Sequence, residues 1–240
     1  MGQSVSISFF RFRGLARQAW AFSQMQLARA PLAAVPDIGF HKLFGTGTEQ
    51  SFTPTPNFGV YAIMAVWPDL ETGQGRLAEA AVFRRYREKA SEHWTVHLNP
   101  LSAHGHWDGV SPFTPPPEPP PLPQPFGVLT RASVRTRALG PFWSHVPDIS
   151  KAVAAETTLL FKMGMGEIPW VHQVTFSIWP DAKTMSDFAY RDGPHAKAIE
   201  AAKTQKWFSE DLFARFAIVA AEGRWEGENP LNHRPAPVAA

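Results

Sequence analysis

The chain has no cysteine in its 240 residues, which excludes disulfide staples, iron–sulfur clusters, thiolate-ligated haem and cysteine nucleophiles together. Net charge is small as well, a formal +2 at pH 7. The basic residues are scattered, and the densest group, Arg84, Arg85 and Arg87, reads as a solvated helix face, so no nucleic acid partner is expected. Long apolar runs are missing: the longest, Phe58 to Trp67, is about half of what a spanning helix requires. No H-E-x-x-H or comparable metal cluster occurs. Met1 to Ser8 is polar and is followed by Arg11 and Arg13, unlike a secretory signal. These absences point to a soluble or peripheral protein of a reducing, cytoplasmic compartment.

What the chain does have is aromatic bulk and repetition. Its 18 Phe and 9 Trp are ample for a packed core and also suit a pocket for a bulky apolar ligand; composition leaves both readings open. Two apolar runs, 64–69 and 176–181, each end in Trp-Pro-Asp, at Asp69 and Asp181. Downstream, His106-Trp107-Asp108-Gly109 is echoed by Arg224-Trp225-Glu226-Gly227, and upstream, Phe40 to Gly45 is echoed by Leu160 to Gly164. Three anchors in the same order imply a duplicated module. Between the copies, Ser111 to Pro125 contains nine prolines in fifteen residues, a semi-rigid extended spacer. The expected divisions are 1–110, a linker at 111–125, a second module at 126–228 and an unstructured tail at 229–240.

Within each copy the periods are readable. Val174, Phe176 and Ile178 alternate with polar residues, as in a strand with one buried face. Pro180-Asp181 then opens a helix with the aspartate as N-cap. Strands are expected near Val5–Phe9, Trp94–Leu98, Val128–Val134 and Phe213–Ala220, and helices near Leu15–Ala30, Ala138–Ala154 and from Ala182. The order per copy is βαββαβ, so the expected fold class is α+β: tandem ferredoxin-like modules meeting sheet to sheet in an intramolecular dimeric α+β barrel.

The copies differ after their Trp-Pro-Asp segments. Copy two continues to Arg191-Asp192-Gly193-Pro194-His195, whereas Leu77 to Arg87 of copy one has no histidine. Asp192 to His195 reads as a helix restart, with Ala198, Ile199 and Ala202 in a stripe beside His195. Small residues next to an imidazole would let a flat macrocycle approach, with His195 as axial base of a haem iron; an ordinary partly buried histidine satisfies the same pattern. His93, His97, His104 and His106 lie close in sequence and read as structural or surface residues, a metal role being the sharper alternative. Arg11 to Arg29, with Trp20, Phe22 and Met25, suits either a helix covering its own sheet or a helix at a bilayer interface.

The motifs Ser8 to Gly14, Lys42 to Gly47, Phe161 to Trp170 and His172 to Asp181 resemble those of the spheroidene monooxygenases of purple photosynthetic bacteria, over about Val5 to Gly227. The resemblance implies oxygenation of an acyclic carotenoid at C-2, from spheroidene to spheroidenone, with haem, molecular oxygen and electrons from a ferredoxin. It also implies a dimeric α+β barrel with the iron on a histidine of the C-terminal module, here His195. On that reading Arg191 meets a haem propionate, a plain surface arginine being the alternative, Ala198 and Ile199 lie against the cofactor, and Met163, Met165, Trp170 and Phe176 are candidates to line the substrate pocket, with ordinary core packing the alternative for each. The protein would be cytoplasmic, with possible peripheral contact at the photosynthetic membrane. Rival readings are another haem enzyme of the same fold, acting as dehydratase, peroxidase or haem-degrading enzyme, and a non-catalytic haem or small-molecule module.

Overall fold

The computed structural model describes residues 2–48, 55–118, 120–155, 158–190, 200–202 and 204–232. Eight strands alternate with helices: β1 (Ser4–Arg11), α1 (Leu15–Leu27), α2 (Arg29–Ala33), β2 (His41–Gly47), β3 (Pro56–Trp67), α3 (Leu70–Glu79), α4 (Ala81–Lys89), β4 (Glu92–Gly105), β5 (Phe126–Val134), α5 (Leu139–Ala155), β6 (Phe161–Gly166), β7 (His172–Trp179), α6 (Ala182–Tyr190) and β8 (Phe208–Gly223). The strands close into one antiparallel barrel in the order β1-β3-β2-β6-β7-β5-β8-β4. The first four lie adjacent as β4-β1-β3-β2 and the last four as β8-β5-β7-β6, so the two sets meet at a β2–β6 seam and a β4–β8 seam.

Strand alternation assigns the side chains. Val5, Ile7 and Phe9 of β1, Trp94, Val96 and Leu98 of β4, and Val174, Phe176 and Ile178 of β7 all point inward. There they form one core in which Phe9 lies 5.8 Å from Trp94 and 4.9 Å from Phe161, centroid to centroid. The barrel interior is therefore filled by rings from both sets of strands, which is what holds the seams shut.

The Trp-Pro-Asp segments end their strands as the chemistry predicts. Proline has no N–H for the ladder, and the next aspartate caps the following helix: Asp69 Oδ1 accepts from Thr72 N at 2.8 Å and Asp181 Oδ1 from Thr184 N at 2.7 Å. The helix expected over 15–30 divides at Ala28 into α1 and α2. β4 and β8 run longer than their apolar alternation suggested, because they pair with each other along the seam. Pro100 is accommodated there beside a bulge.

The proline-rich stretch and the start of the segment assigned to the tail both contact the barrel. Phe113 of the proline-rich stretch is buried in the barrel core, edge-on to Phe216 at 5.1 Å, and Gln3 bonds both Pro112 O and Thr114 N. Asn229, assigned to the tail, accepts from Trp94 Nε1 at 3.2 Å, and Pro230–Asn232 forms a short helical turn. The indole N–H of Trp94 gives Asn229 something to bind, which composition does not register.

Candidate functional site

Two reciprocal clasps close the barrel ends. After β4, Gly105 takes φ +94°, and a Cβ there would lie 2.2 Å from Asp211 O, so glycine is required. The chain then turns through Trp107-Asp108-Gly109-Val110, with Trp107 N donating to Val110 O at 2.8 Å and positive φ at Asp108 and Gly109, a primed hairpin turn. Glu210, at the start of β8, accepts both exposed amides, Asp108 N at 2.9 Å and Gly109 N at 2.7 Å. After β8, Gly223 and the Trp225–Glu228 turn repeat this geometry, and Glu92 of β4 accepts Gly227 N at 2.7 Å. Each strand set thus holds the turn of the other.

The clasps differ in what surrounds them. Arg131, 2% exposed, pairs with Glu210 and with Asp108 at 3.2 Å, and its guanidinium lies over Trp107. Lys42 pairs with Asp108 and with Glu167 at 2.8 Å, and Trp107 Nε1 donates to Glu167 at 2.8 Å. Burial alone would lower the Lys42 ammonium, but hydrogen bonds to Asp108 and Glu167 hold its pKa above the ordinary value. Burial would likewise raise Glu210, yet the Gly109 and Asp108 amides and Arg131 hold it below the usual carboxylate range. Every carboxylate here faces a cation, so the cluster fastens the barrel and leaves no group poised for proton transfer. At the other end Arg11 lies over Trp225 at 4.5 Å, and Trp225 Nε1 is buried without a partner among the described residues.

The asymmetry that bears on ligand binding lies on the outer sheet face. Trp67 pairs with Ser4, and Trp179 with Phe126. Counted from these tryptophans, the pair Phe10–Tyr61 of the first face corresponds to Ala132–Gln173 of the second, and Ser8–Ile63 to Thr130–Thr175. Phe10, Tyr61 and Ile63 are buried beneath α1, α3 and α4 in a continuous apolar layer. Burial pushes the Tyr61 hydroxyl up to about 12.

On the second face, by contrast, Thr130, Ala132 and Thr175 are half-buried. Among the described residues its apolar side chains fall into two groups: Phe126, Val128, Trp179 and Met185 at one end of β5, and Val134, Ala138, Ala202 and Trp207 at the other. On β5 and β7 the ground between them has lost ring volume and gained polar atoms, while β8 places the half-buried ring of Phe213 opposite Thr130. Among the described residues, Thr175 Oγ1 is buried with no hydrogen-bond partner, and so is Nε of Arg215, which projects from β8 on the same face. A buried hydroxyl without a partner costs about 1–3 kcal/mol, which a polar partner would remove.

His195, Arg191, Ala198 and Ile199 lie outside the described residues. Of the pocket candidates, Met163, Met165 and Phe176 come together, but inside the barrel, each at most 2% exposed among the core rings. Their strand period directs them inward. Trp170 is set apart, 54% exposed in the β6–β7 turn, where its carbonyl accepts from Trp143 Nε1. His97 is fully buried with Nε2 3.5 Å from Glu222, His93 is half-buried, and His104 and His106 are exposed. Burial first, then Arg87, lowers the His93 pKa. Among the described residues no group of three or more His, Asp or Glu is placed to hold a metal ion. Ala132, Gln173, Thr175 and Arg215 escaped sequence reasoning, although aligning the copies on their Trp-Pro-Asp tryptophans would have exposed the exchange of rings for small and polar residues.

No family model matches the chain. Among curated proteins, the spheroidene monooxygenase of Rhodobacter capsulatus is 47% identical over 94% of both chains. That of Cereibacter sphaeroides is 42% identical over 99% of this chain and 76% of its own. That of Rubrivivax gelatinosus is 30% identical over 88% of this chain and 81% of its own. Among solved structures, an aldoxime dehydratase in complex with butyraldoxime superposes with a TM-score of 0.60 at 8% identity, over 92% of this chain and 82% of that one. A second aldoxime dehydratase gives 0.57 at 10%, over 90% and 82%. Those structures share the helix-clad barrel and no more. Sequence identity at this level over nearly the whole length is a different matter, and by it the chain belongs to the spheroidene monooxygenase family.

Proposed function

We propose that the protein is a haem-dependent monooxygenase of an acyclic carotenoid, of the spheroidene-to-spheroidenone type, placing a keto group at C-2 with molecular oxygen and reduced ferredoxin. The observation that carries the cofactor reading is the outer face of β5 and β7, where Ala132, Gln173 and Thr175 stand at positions that Phe10, Tyr61 and Ile63 fill in the first half. Flat macrocycles need such bare ground, walled by apolar groups. Met185 and Phe188 at one end and Ala201 and Ala202 at the other supply the walls, and the chain between them contains residues 191–199.

On this reading His195 would hold the haem iron, Ala198 and Ile199 would line the site, and Arg191, with Arg215, would offer a cation to a propionate. Bound haem would supply the oxygen activation that no side chain here provides. The chain's own part is to bind and to exclude water. Val128, Trp179 and Val134 keep the face apolar at its ends, while the Thr175 hydroxyl offers one fixed donor to a ligand oxygen. We assign Trp170 and Trp143, beside the Val134 end, to the first contact with the polyene. Met163, Met165 and Phe176 would act behind it, setting the sheet curvature from the core side. Two oxygenations at one carbon give a gem-diol, which loses water to the ketone.

We infer also that residues 1–110 and 126–228 are duplicated ferredoxin-like modules joined by 111–125, supported by the matching strand orders, caps and clasps. No helix among the described residues is long and apolar enough to cross a membrane, and we assign a cytoplasmic protein with peripheral membrane contact. The test is the visible spectrum of the purified protein. A Soret band that His195→Ala abolishes together with turnover is expected, and Ala132→Phe should lose the band while keeping the fold. A His195→Ala protein with full haem and turnover would exclude that ligand and leave His172 as the next to test.

A further inference from the structure

Helix α1 is built the wrong way round for a helix facing water. Its inner side, Ala21 with Trp20 and Met25, packs on the first sheet face. Its outer side is uncharged: Leu15 is 85% exposed, Phe22 59% and Leu27 64%, with Ala16, Ala19 and Gln26 between them. Phe58 of β3, 51% exposed, extends this surface by stacking edge-on against Phe22 at 5.7 Å. Exposed aliphatic and aromatic groups scattered singly need no explanation, but a contiguous patch does. The outward side of α4, by comparison, carries Arg84, Arg85 and Glu88.

The charge around the patch has one sign. From Arg11 to Pro36 the chain has four arginines and no carboxylate. Arg11 is engaged by Glu92 and Glu226, while Arg13, Arg17 and Arg29 are exposed at the ends of α1. Arg17 sits in the first turn, where the helix dipole disfavours a cation and where α1 has no acidic residue. Beside Leu27, a groove of about 420 Å³ opens between α1, α2 and α4, lined by Trp20, Leu27, Val82 and Tyr86 and edged by Arg85. A second copy would bring like charges together, whereas an anionic surface compensates all of them.

We propose that the outer side of α1, with Phe58, docks on an anionic lipid bilayer: Leu15, Phe22, Leu27 and Phe58 enter the interface, and Arg13, Arg17 and Arg29 meet lipid phosphates. This locates the peripheral contact assigned above, and its test does not depend on turnover. The full chain is floated with vesicles of pure phosphatidylcholine and with vesicles containing phosphatidylglycerol, at low and high salt. Salt-sensitive binding to the anionic vesicles is expected. Leu15→Gln/Phe22→Ser/Leu27→Gln should weaken it on the order of tenfold or more, and Arg13→Gln/Arg17→Gln/Arg29→Gln should remove the preference for anionic lipid. All these positions are exposed, and the arginine variant remains informative should the apolar one misfold.

No flotation by the parent chain, or equal flotation by the apolar variant, overturns the proposal. So does a sedimenting dimer that Phe22→Ser converts to monomer. The Soret band read on the same samples separates the outcomes: its absence would sink the haem reading and leave the lipid surface standing.

Discussion

Replacing Glu210 with Gln tests whether the clasps hold the barrel shut. Glu210 accepts two backbone amides and the guanidinium of Arg131, whose side chain is 1% exposed. Glutamine keeps one acceptor oxygen but leaves a buried cation half compensated, since Asp108 remains 3.2 Å away. Breaking a buried pair costs about 3–5 kcal/mol, and the remaining aspartate argues for the lower end, roughly 3. For a chain of this length that is about 6–12 °C in melting temperature. The control is Glu92→Gln at the other clasp. There Arg11 is 23% exposed and keeps Glu226 at 3.1 Å, so the loss should be about 1 kcal/mol or less. Urea unfolding of both variants, followed by tryptophan fluorescence, gives the comparison. Equal midpoints would refute the reasoning, because they would mean that burial of Arg131 does not set the energy of the clasp.

The two clasp tryptophans give a second contrast. Trp107→Phe removes one of the two partners of Glu167, leaving Lys42, and should cost roughly 1 kcal/mol beyond the loss of ring area, whereas Trp225→Phe removes an N–H with no partner among the described residues and should be nearer neutral; equal losses would count against the assigned partners. Stability should also narrow at both pH extremes. Glu210 and Glu222 titrate below the ordinary 4.5 in the folded chain, so their contribution is present above that value and is lost as pH falls through their folded pKa values. Lys42 lies above its ordinary 10.5, and Tyr61 is raised from 10.0 to about 12, so their contributions hold below the ordinary values and are lost as pH rises through the folded ones. Melting temperature against pH should fall at both ends, and Glu210→Gln should flatten the acid limb. An unchanged acid limb would mean that other carboxylates control it.

The strand at Val174–Ile178 and the Asp181 cap were legible because each depends on neighbours within a few residues. The burial of Phe176 followed from the same alternation, but that Met163 and Met165 join it inside a closed barrel did not, because alternation shows a strand's two faces without saying what each meets. Nor could the anchoring of Phe113 and Asn229 be read, since their partners, Phe216 and Trp94, are distant in the chain. The resemblance to carotenoid monooxygenases came from motif order, and the identity of nearly half the residues with a curated relative bears the family out.

By itself, then, the sequence determined the family, the periodicities, the repeat and the sites where strands stop and helices start, all consequences of local backbone chemistry. Tertiary structure decided what closure alone brings together: Arg131 against Glu210, each turn held by the opposite half, an uncharged α1 surface bordered by arginines, and β5 and β7 positions of the second sheet face that lack the rings of Phe10 and Tyr61 in the first. Strand pairing is what sets those positions side by side, and register is a property of the closed barrel rather than of any one segment.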